Sequence, residues 1–443
     1  MTQIVDSPQA VRAGSVHAVI GKHLLADGFD LVLDLDASHG STLVDARDGH
    51  EYLDLFTFFA SSALGMNHPA LAGDETFRAD LLRAALNKPS NSDIYTVEMA
   101  RFVETFAEVL GDERLPHLFF IEGGGLAVEN ALKVAFDWKS RWNEAHGIDP
   151  ALGTRILHLE HAFHGRTGYT MSLTNTDPNK VARFPKFDWP RIPAPYVRDG
   201  VDVEQAEKEA LELAREAFEA HPHDIAAAIM EPIQGEGGDH HFRPEFVRAL
   251  RDLCHEHDAL FILDEVQSGV GLTGTNWAFQ QLGVVPDVVA FGKKTQVCGI
   301  MAGGRVDEVA DNVFAVSSRL NSTWGGNLTD MVRARRILEV VRDEKLVSRA
   351  AVLGDRLQTL LRTLGERHEA VTNVRGRGLM CAFTLPDAAT RDALIEGLRL
   401  DESVLALGCG NRSVRFRPAL TISEAELDAG VAAIDRVLSR LEA

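Results

Sequence analysis

Residues 259–294 read ALFILDEVQSGVGLTGTNWAFQQLGVVPDVVAFGKK, and the rest of the chain is organised around them. The run Ala259-Leu260-Phe261-Ile262-Leu263 is apolar at every position, the pattern of a strand buried on both faces of a parallel sheet. It ends on two carboxylates, Asp264 and Glu265. A second run, residues 287–291, ends in Gly292-Lys293-Lys294, so an amine also stands at a strand end. Open α/β sheets bind their ligands at the carboxyl ends of strands. An acid and an amine at two such ends are the parts a pyridoxal 5'-phosphate enzyme requires: Lys293 to form the Schiff base, Asp264 to keep the pyridine nitrogen protonated. Spacing alone leaves Lys294 open as the alternative amine.

The chain has 443 residues, 45% hydrophobic and 25% charged, the balance of a soluble globular protein long enough for two cores. Its 45 Lys and Arg against 65 Asp and Glu give a net charge of −20, which argues against nucleic acid or an anionic membrane as partner. Any phosphate or carboxylate ligand must then be captured by local donors. Cys254, Cys298, Cys381 and Cys409 are far apart, which excludes a CxxC metal site and fits a reduced, cytoplasmic chain. The first residues lack a signal-peptide core, and no apolar run approaches membrane-spanning length. His240 and His241 are adjacent without spaced partners; they read as surface or loop residues, and no metal is expected.

Strand and helix patterns alternate through residues 76–325, the signature of a doubly wound, mostly parallel sheet. A strand at 117–121 leads into Gly123-Gly124-Gly125, and Val128, Ala131, Leu132 and Ala135 then mark a helix face. Glycines at a helix start expose N–H groups to an anion or simply make a tight turn. Val128 stands where a GxGxxG fingerprint needs its third glycine, and no GK[ST] follows, so neither nucleotide motif is present. A strand at 155–159 ends in His161-Ala162-Phe163-His164-Gly165-Arg166, where an aromatic ring could stack on a cofactor and Arg166 could bind a carboxylate or make a surface ion pair. Residues 203–220 read as a helix and 225–230 as a strand, ahead of Glu231-Pro232-Ile233-Gln234-Gly235-Glu236.

Residues 1–75 combine a short helix at 15–25 with hairpin-like pieces, and FTFFASSALGMN (56–67) suits core packing and pocket lining equally. Beyond 325 come helices at 328–343 and 347–368, strands within 378–385 and at 413–416, and a last helix opened by a Ser423 and Glu426 capping box. The class is therefore α/β: a large domain over 76–325 and a small α/β domain built from both termini, 1–75 and 326–443.

Taken together, EGGG (122–125), FHGR (163–166), EPIQGEGG (231–238), ILDEVQSGVGLTG (262–274), DVVAFGKK (287–294), STWGGN (322–327) and VRFRPAL (414–420) resemble the class III aminotransferases of pyridoxal phosphate fold type I, in order and over nearly the whole chain. Within that family NKPSNSD (87–93) and ARFPKFDWPRI (182–192) are similar to members acting on the ε-amine of lysine. The resemblance implies transfer of that amine from L-lysine to 2-oxoglutarate, giving 2-aminoadipate 6-semialdehyde and L-glutamate. Ornithine or 4-aminobutyrate as donor is the alternative, and a racemase or decarboxylase on the same fold a more distant one. It further implies Lys293 as Schiff-base lysine, Asp264 at the pyridine nitrogen, Gln267 beside the ring hydroxyl, Phe163 over the ring, and Gly124 and Gly125 at the phosphate. Relatives often carry Ser or Ala at the place of Gly125, so phosphate capture here rests on backbone amides. Thr323 is implied to reach the phosphate of a partner subunit, making a homodimer with shared sites, and Asn321 to line the substrate pocket from the same loop. Arg166 is implied to hold the distal carboxylate, and Arg415 to bind the keto acid unless Glu236 neutralises it.

Overall fold

A computed structural model describes residues 11–442. Seven strands form the large sheet: β1 (His117–Ile121), β2 (Arg155–Leu159), β3 (Arg191–Ile192), β4 (Ile225–Met230), β5 (Leu260–Asp264), β6 (Val288–Phe291) and β7 (Cys298–Ala302). Their order is β1-β7-β6-β5-β4-β2-β3, parallel except for β7, which runs antiparallel to both neighbours. Every residue of β4, β5 and β6 is buried, because helices cover both faces. Successive residues alternate between two cores: Ala228, Phe261, Leu263 and Val289 join Phe102, Phe106 and Leu250, while Ala227, Ile262, Val288 and Ala290 join Val128, Ala131 and Leu132. The helix carrying those last three, Gly124–Ala145, begins directly at the glycine run.

A four-stranded antiparallel sheet, ordered Thr372–Arg377, Met380–Thr384, Ser413–Phe416 and Leu407–Cys409, forms the smaller core with helices Leu346–Arg367, Ala388–Asp401 and Glu424–Leu441. The capping box of the last helix is present on both sides, Ser423 on Glu426 N–H and Glu426 on Ser423 N–H. The amino-terminal hairpin, Thr42–Val44 with Glu51–Asp54, gains a third strand from the far end of the chain, Val404–Leu405, so both termini build this part. Helix Leu328–Asp343 serves both cores, with Met331, Val332 and Leu338 in the large one and Ile337, Val340 and Val341 in the small.

Two expectations need correction. The helix foreseen at 15–25 shrinks to a 3-10 turn, Ala13–Ser15, and one short helix, Val16–Ile20, because its apolar residues Leu24 and Leu25 pack on none of the described residues and are exposed. His240 and His241 are not surface residues; both are buried in a two-residue strand paired with Ile233–Gln234. His240 stacks on Tyr196 at 3.5 Å between ring centroids and meets Gln234 Oε1 at 3.0 Å. Burial, with charged neighbours adding to it, pushes both imidazoles down, His240 to about 2 and His241 well below its ordinary value, so both are neutral packing groups. All four cysteines are free and buried, and no helix among the described residues is long and apolar enough to cross a membrane.

The loop after β5 is clamped to the small sheet by backbone contact. Leu379 N–H donates to Leu272 C=O at 2.8 Å. Gly378, at φ +52°, lies so close that a Cβ there would meet the Thr273 carbonyl carbon at 2.4 Å, and a Cβ on Gly354 would meet Gly378 at 2.2 Å. Three backbone segments thus touch where no side chain fits. Gly354→Ala is expected to destabilise the protein by about 1–3 kcal/mol through overpacking, read as a lower urea midpoint.

Candidate active site

A cavity of about 490 Å³ opens at the carboxyl ends of β5 and β6. Asp264, Gln267, Lys293, Phe163, Arg166, Glu236, Gly124 and Gly125 all line it, so most of the residues singled out in the sequence are brought together. A larger cavity of about 710 Å³, near Leu64, Leu71 and Arg333, contains no lysine.

The amine and the acid are placed by strand register, with Ala290 opposite Asp264 in the parallel β5–β6 pair. Lys293 follows in a 3-10 turn, Lys293–Thr295, and its Nζ donates to Phe59 C=O at 2.8 Å. Lys294 turns away from the cavity; its buried Nζ donates to Ala60 C=O at 2.7 Å. Burial, helped by the charges of Arg415 and Arg417, lowers the Lys293 amine to about 8. Asp264 is 5% exposed; one carboxylate oxygen meets His164 Nδ1 at 2.8 Å and the other accepts Val266 N–H at 3.0 Å. With the ring nitrogen against a carboxylate, His164 holds the acid in one orientation.

Gln267 is fixed from the far side. Arg417 donates to its Oε1 at 3.0 Å and 2.8 Å, and Arg417 is itself held by Asp239 at 2.8 Å. Because a guanidinium only donates, the Gln267 oxygen is committed to it and the amide NH2 is left for the cavity. Phe163 N–H donates to Glu231 Oε1 at 2.9 Å, and Gly235 N–H to the other oxygen at 3.0 Å. Burial, then the nearby Asp264 charge, pushes Glu231 well above the usual carboxylate range. Gly123 caps helix Gly124–Ala145 without a side-chain hydrogen bond, so the first N–H groups of the helix are unsatisfied where Gly124 and Gly125 face the cavity. A Cβ on Gly125 would come within 3.3 Å of Thr167, whose side chain takes up the space.

Glu236 stands between two cations, Arg415 Nη2 at 2.9 Å and Lys180 Nζ at 2.5 Å. Burial pushes its carboxyl up, but Arg415 and Lys180 outweigh this and hold it at about 2. Arg415 is 3% exposed, and its Nε and Nη1 have no partner among the described residues. Arg166 is exposed at the rim, 6.0 Å from the Phe163 ring, with no carboxylate paired to it among the described residues. Asn321 and Thr323 are not brought to this cavity. They are exposed on a loop held by Asn91 Nδ2 on Gly326 C=O at 3.0 Å, by the Ser92 hydroxyl on Ser322 C=O, and by Lys88 over the Trp324 ring at 3.7 Å.

The wall opposite β6 is a left-handed turn. Thr57, Phe58, Phe59 and Ala60 have φ of 43°, 52°, 60° and 68°, in a region that disfavours L-residues by about 1–2 kcal/mol each. Asp54 accepts the N–H groups of Phe56 and Thr57 at 2.9 and 2.8 Å, and the Thr57 hydroxyl donates to Arg417 C=O at 2.6 Å. In return the turn aims the carbonyls of Phe59, Ala60 and Ser61 at Lys293, Lys294 and Gln296. Lys180, His164, Arg417 and Glu231 are site residues not singled out from sequence. His164, Arg417 and Glu231 fall inside motifs already quoted; Lys180, in the short helix Pro178–Val181, has no pattern around it.

The sequence matches the class-III aminotransferase family over residues 26–438. The chain belongs to this family. It is 67% identical over 427 residues to the L-lysine-epsilon aminotransferase of Mycobacterium tuberculosis H37Rv, covering 96% of this chain and 95% of that one. The enzyme of the same name from Streptomyces clavuligerus is 57% identical over 432 residues, covering 96% and 94%. A crystal structure of lysine aminotransferase from M. tuberculosis in the internal aldimine form superimposes with a TM-score of 0.96 at 66% identity, covering 97% of this chain and all of that one.

Pyridoxal 5'-phosphate is the cofactor of this class-III aminotransferase. The donor set suits it: free helix N–H groups for a phosphate, a fixed carboxylate for a ring nitrogen, an amide NH2 for a ring hydroxyl, a flat aromatic and a depressed amine. Because the Lys293 amine is lowered to about 8, its neutral form is available at lower pH than for an ordinary lysine. In protein stripped of cofactor, the rate of covalent uptake should rise with pH and reach half its maximum near 8, followed by absorbance after borohydride trapping.

Proposed function

We propose that the protein transfers the ε-amino group of L-lysine to 2-oxoglutarate, yielding 2-aminoadipate 6-semialdehyde, which cyclises, and L-glutamate. It would do so in the cytoplasm as a homodimer, with Thr323 and Asn321 completing the partner's site. The observation that carries this reading is the Glu236–Arg415 pair beside Lys293, in a chain 57–67% identical to L-lysine-epsilon aminotransferases. When bound, pyridoxal phosphate supplies an electrophilic carbon for amines and a ring that accepts the electron pair left when a substrate C–H bond breaks.

The chain's own residues do the rest. Lys293 Nζ would move a proton from the substrate carbon that bears nitrogen across to the cofactor, and in the second half-reaction would carry one the opposite way to the carbonyl carbon of the acceptor, for which an amine near neutrality suits. Asp264, held by His164, keeps a proton on the ring nitrogen, and Gln267 donates from the hydroxyl side. Phe163 walls the ring, and the amides of Gly124 and Gly125 take the phosphate. Arg166 holds the distal carboxylate of either substrate. Lysine brings an uncharged methylene chain past Arg415, and leaving that buried guanidinium unpaired would cost on the order of 3–5 kcal/mol, so Glu236 stays on it. 2-Oxoglutarate brings a carboxylate that takes its place on Arg415, whose spare Nε and Nη1 are ready to donate.

Incubation with lysine and 2-oxoglutarate, with ornithine and 4-aminobutyrate in parallel, should identify the semialdehyde of lysine as the preferred product; preference for another donor would reassign the substrate. Lys293→Ala should retain cofactor without a borohydride-fixable link and lose turnover by at least about 10⁴-fold, whereas retained turnover would move the role to Lys294. Glu236→Ala should slow the lysine half-reaction by about 10–100-fold more than the glutamate half-reaction in single-turnover absorbance. Equal losses would make Glu236–Arg415 a structural pair.

A further inference from the structure

The carboxylate of Glu236 has two cations, and only Arg415 has a use in the mechanism so far. Lys180 Nζ lies 2.5 Å from Glu236 Oε1 and 5.5 Å from the Phe163 ring centroid, on the cavity wall but outside the cofactor's donor set. Behind the pair is a second cavity of about 410 Å³, lined by Asp177, Lys180, Glu236, Arg391 and Asn411 among others. Lys180 and Glu236 line both cavities and so form the partition between them. The Glu236 backbone is pinned, its C=O accepting Gly410 N–H at 2.9 Å, which leaves only the side chain free to move.

We infer that Lys180 is a positioning residue that holds the Glu236 carboxylate after it leaves Arg415, so that the acidic substrate does not have to compete with it. The assignment rests on the switching role of Glu236 proposed above and adds its second pole. With lysine bound, Lys180 and Arg415 share one carboxylate. With 2-oxoglutarate bound, the substrate carboxylate pairs with Arg415 and Glu236 with Lys180, so each anion keeps a cation and the second cavity gives the displaced side chain room. Without Lys180, two carboxylates contend for one guanidinium. Lysine as donor never raises that conflict.

The two half-reactions test this through absorbance of the bound cofactor in the holoenzyme, with cofactor content confirming that each variant is folded. Lys180→Met should raise KM for 2-oxoglutarate by about tenfold or more, the scale of coupling between contacting charges, and leave the lysine half-reaction within about twofold. Lys180→Arg should restore 2-oxoglutarate binding. In a Glu236→Gln background the displaced group carries no charge, so adding Lys180→Met should change KM for 2-oxoglutarate by less than about twofold. The same loss in the Gln background would show that Lys180 touches the substrate directly, and no loss in the native background would show that it does nothing for Glu236; either overturns the assignment. Glu236→Gln alone reports on the switch itself: if it affects both halves equally, that reading fails whatever Lys180 does.

Discussion

Parallel pairing of β5 with β6 sets Ala290 opposite Asp264, and that register fixes the distance from the acid ending one strand to the amine beyond the next. The neighbouring strands extend the ruler. β4 ends just before Glu231 and β2 shortly before Phe163 and His164, so four adjacent strand ends, about 4.8 Å apart, deliver amine, acid, buried carboxyl and aromatic in turn. A sheet buried on both faces has no freedom to slip, since a one-residue shift would exchange the two cores. The site inherits that rigidity, and contacts such as His164 on Asp264 and Arg417 on Gln267 add to it.

Charge in the site divides into fixed and free. Arg417 is 1% exposed and bonded to Asp239, to Gln267 and to the Phe416 carbonyl, so it acts as a brace that selects which end of the Gln267 amide faces the cavity. Arg415, inside the strand that Arg417 directly follows, is also buried but uses a single nitrogen. Low dielectric makes a satisfied pair rigid and an unsatisfied donor a strong attractant for a second anion. In a chain of net charge −20, binding any carboxylate-bearing ligand depends on such local concentrations of donors.

Much of this was readable from the chain because chemistry and pattern coincide at strand ends. An apolar run that stops on Asp264 or on Lys293 announces both a buried strand and a reason to interrupt it. The Ser423 capping box and the face of helix Val203–Ala220 are likewise local signals, and local signals survive into the fold. What sequence could not show depends on partners distant in the chain. His240 is polar by composition, and only Tyr196 and Gln234 make its burial tolerable. Val404–Leu405 is too short to announce itself and is a strand because Glu51–Asp54 lies beside it. Arg417 stands two residues after Arg415 in the quoted VRFRPAL motif, a signal that was present, whereas nothing near Lys180 foretells Glu236.

The mirror-image coil at Thr57–Ala60 offers two discrete basins and little between them. Reversing its hand would swing three carbonyls from one side of the chain to the other, so partial relaxation gains nothing. Insertions or deletions there would shift which carbonyl meets which amine. The length of this stretch is therefore a constraint in its own right: a substitution beside it leaves the pairing of carbonyls with Lys293 and Lys294 intact, whereas a change in length does not.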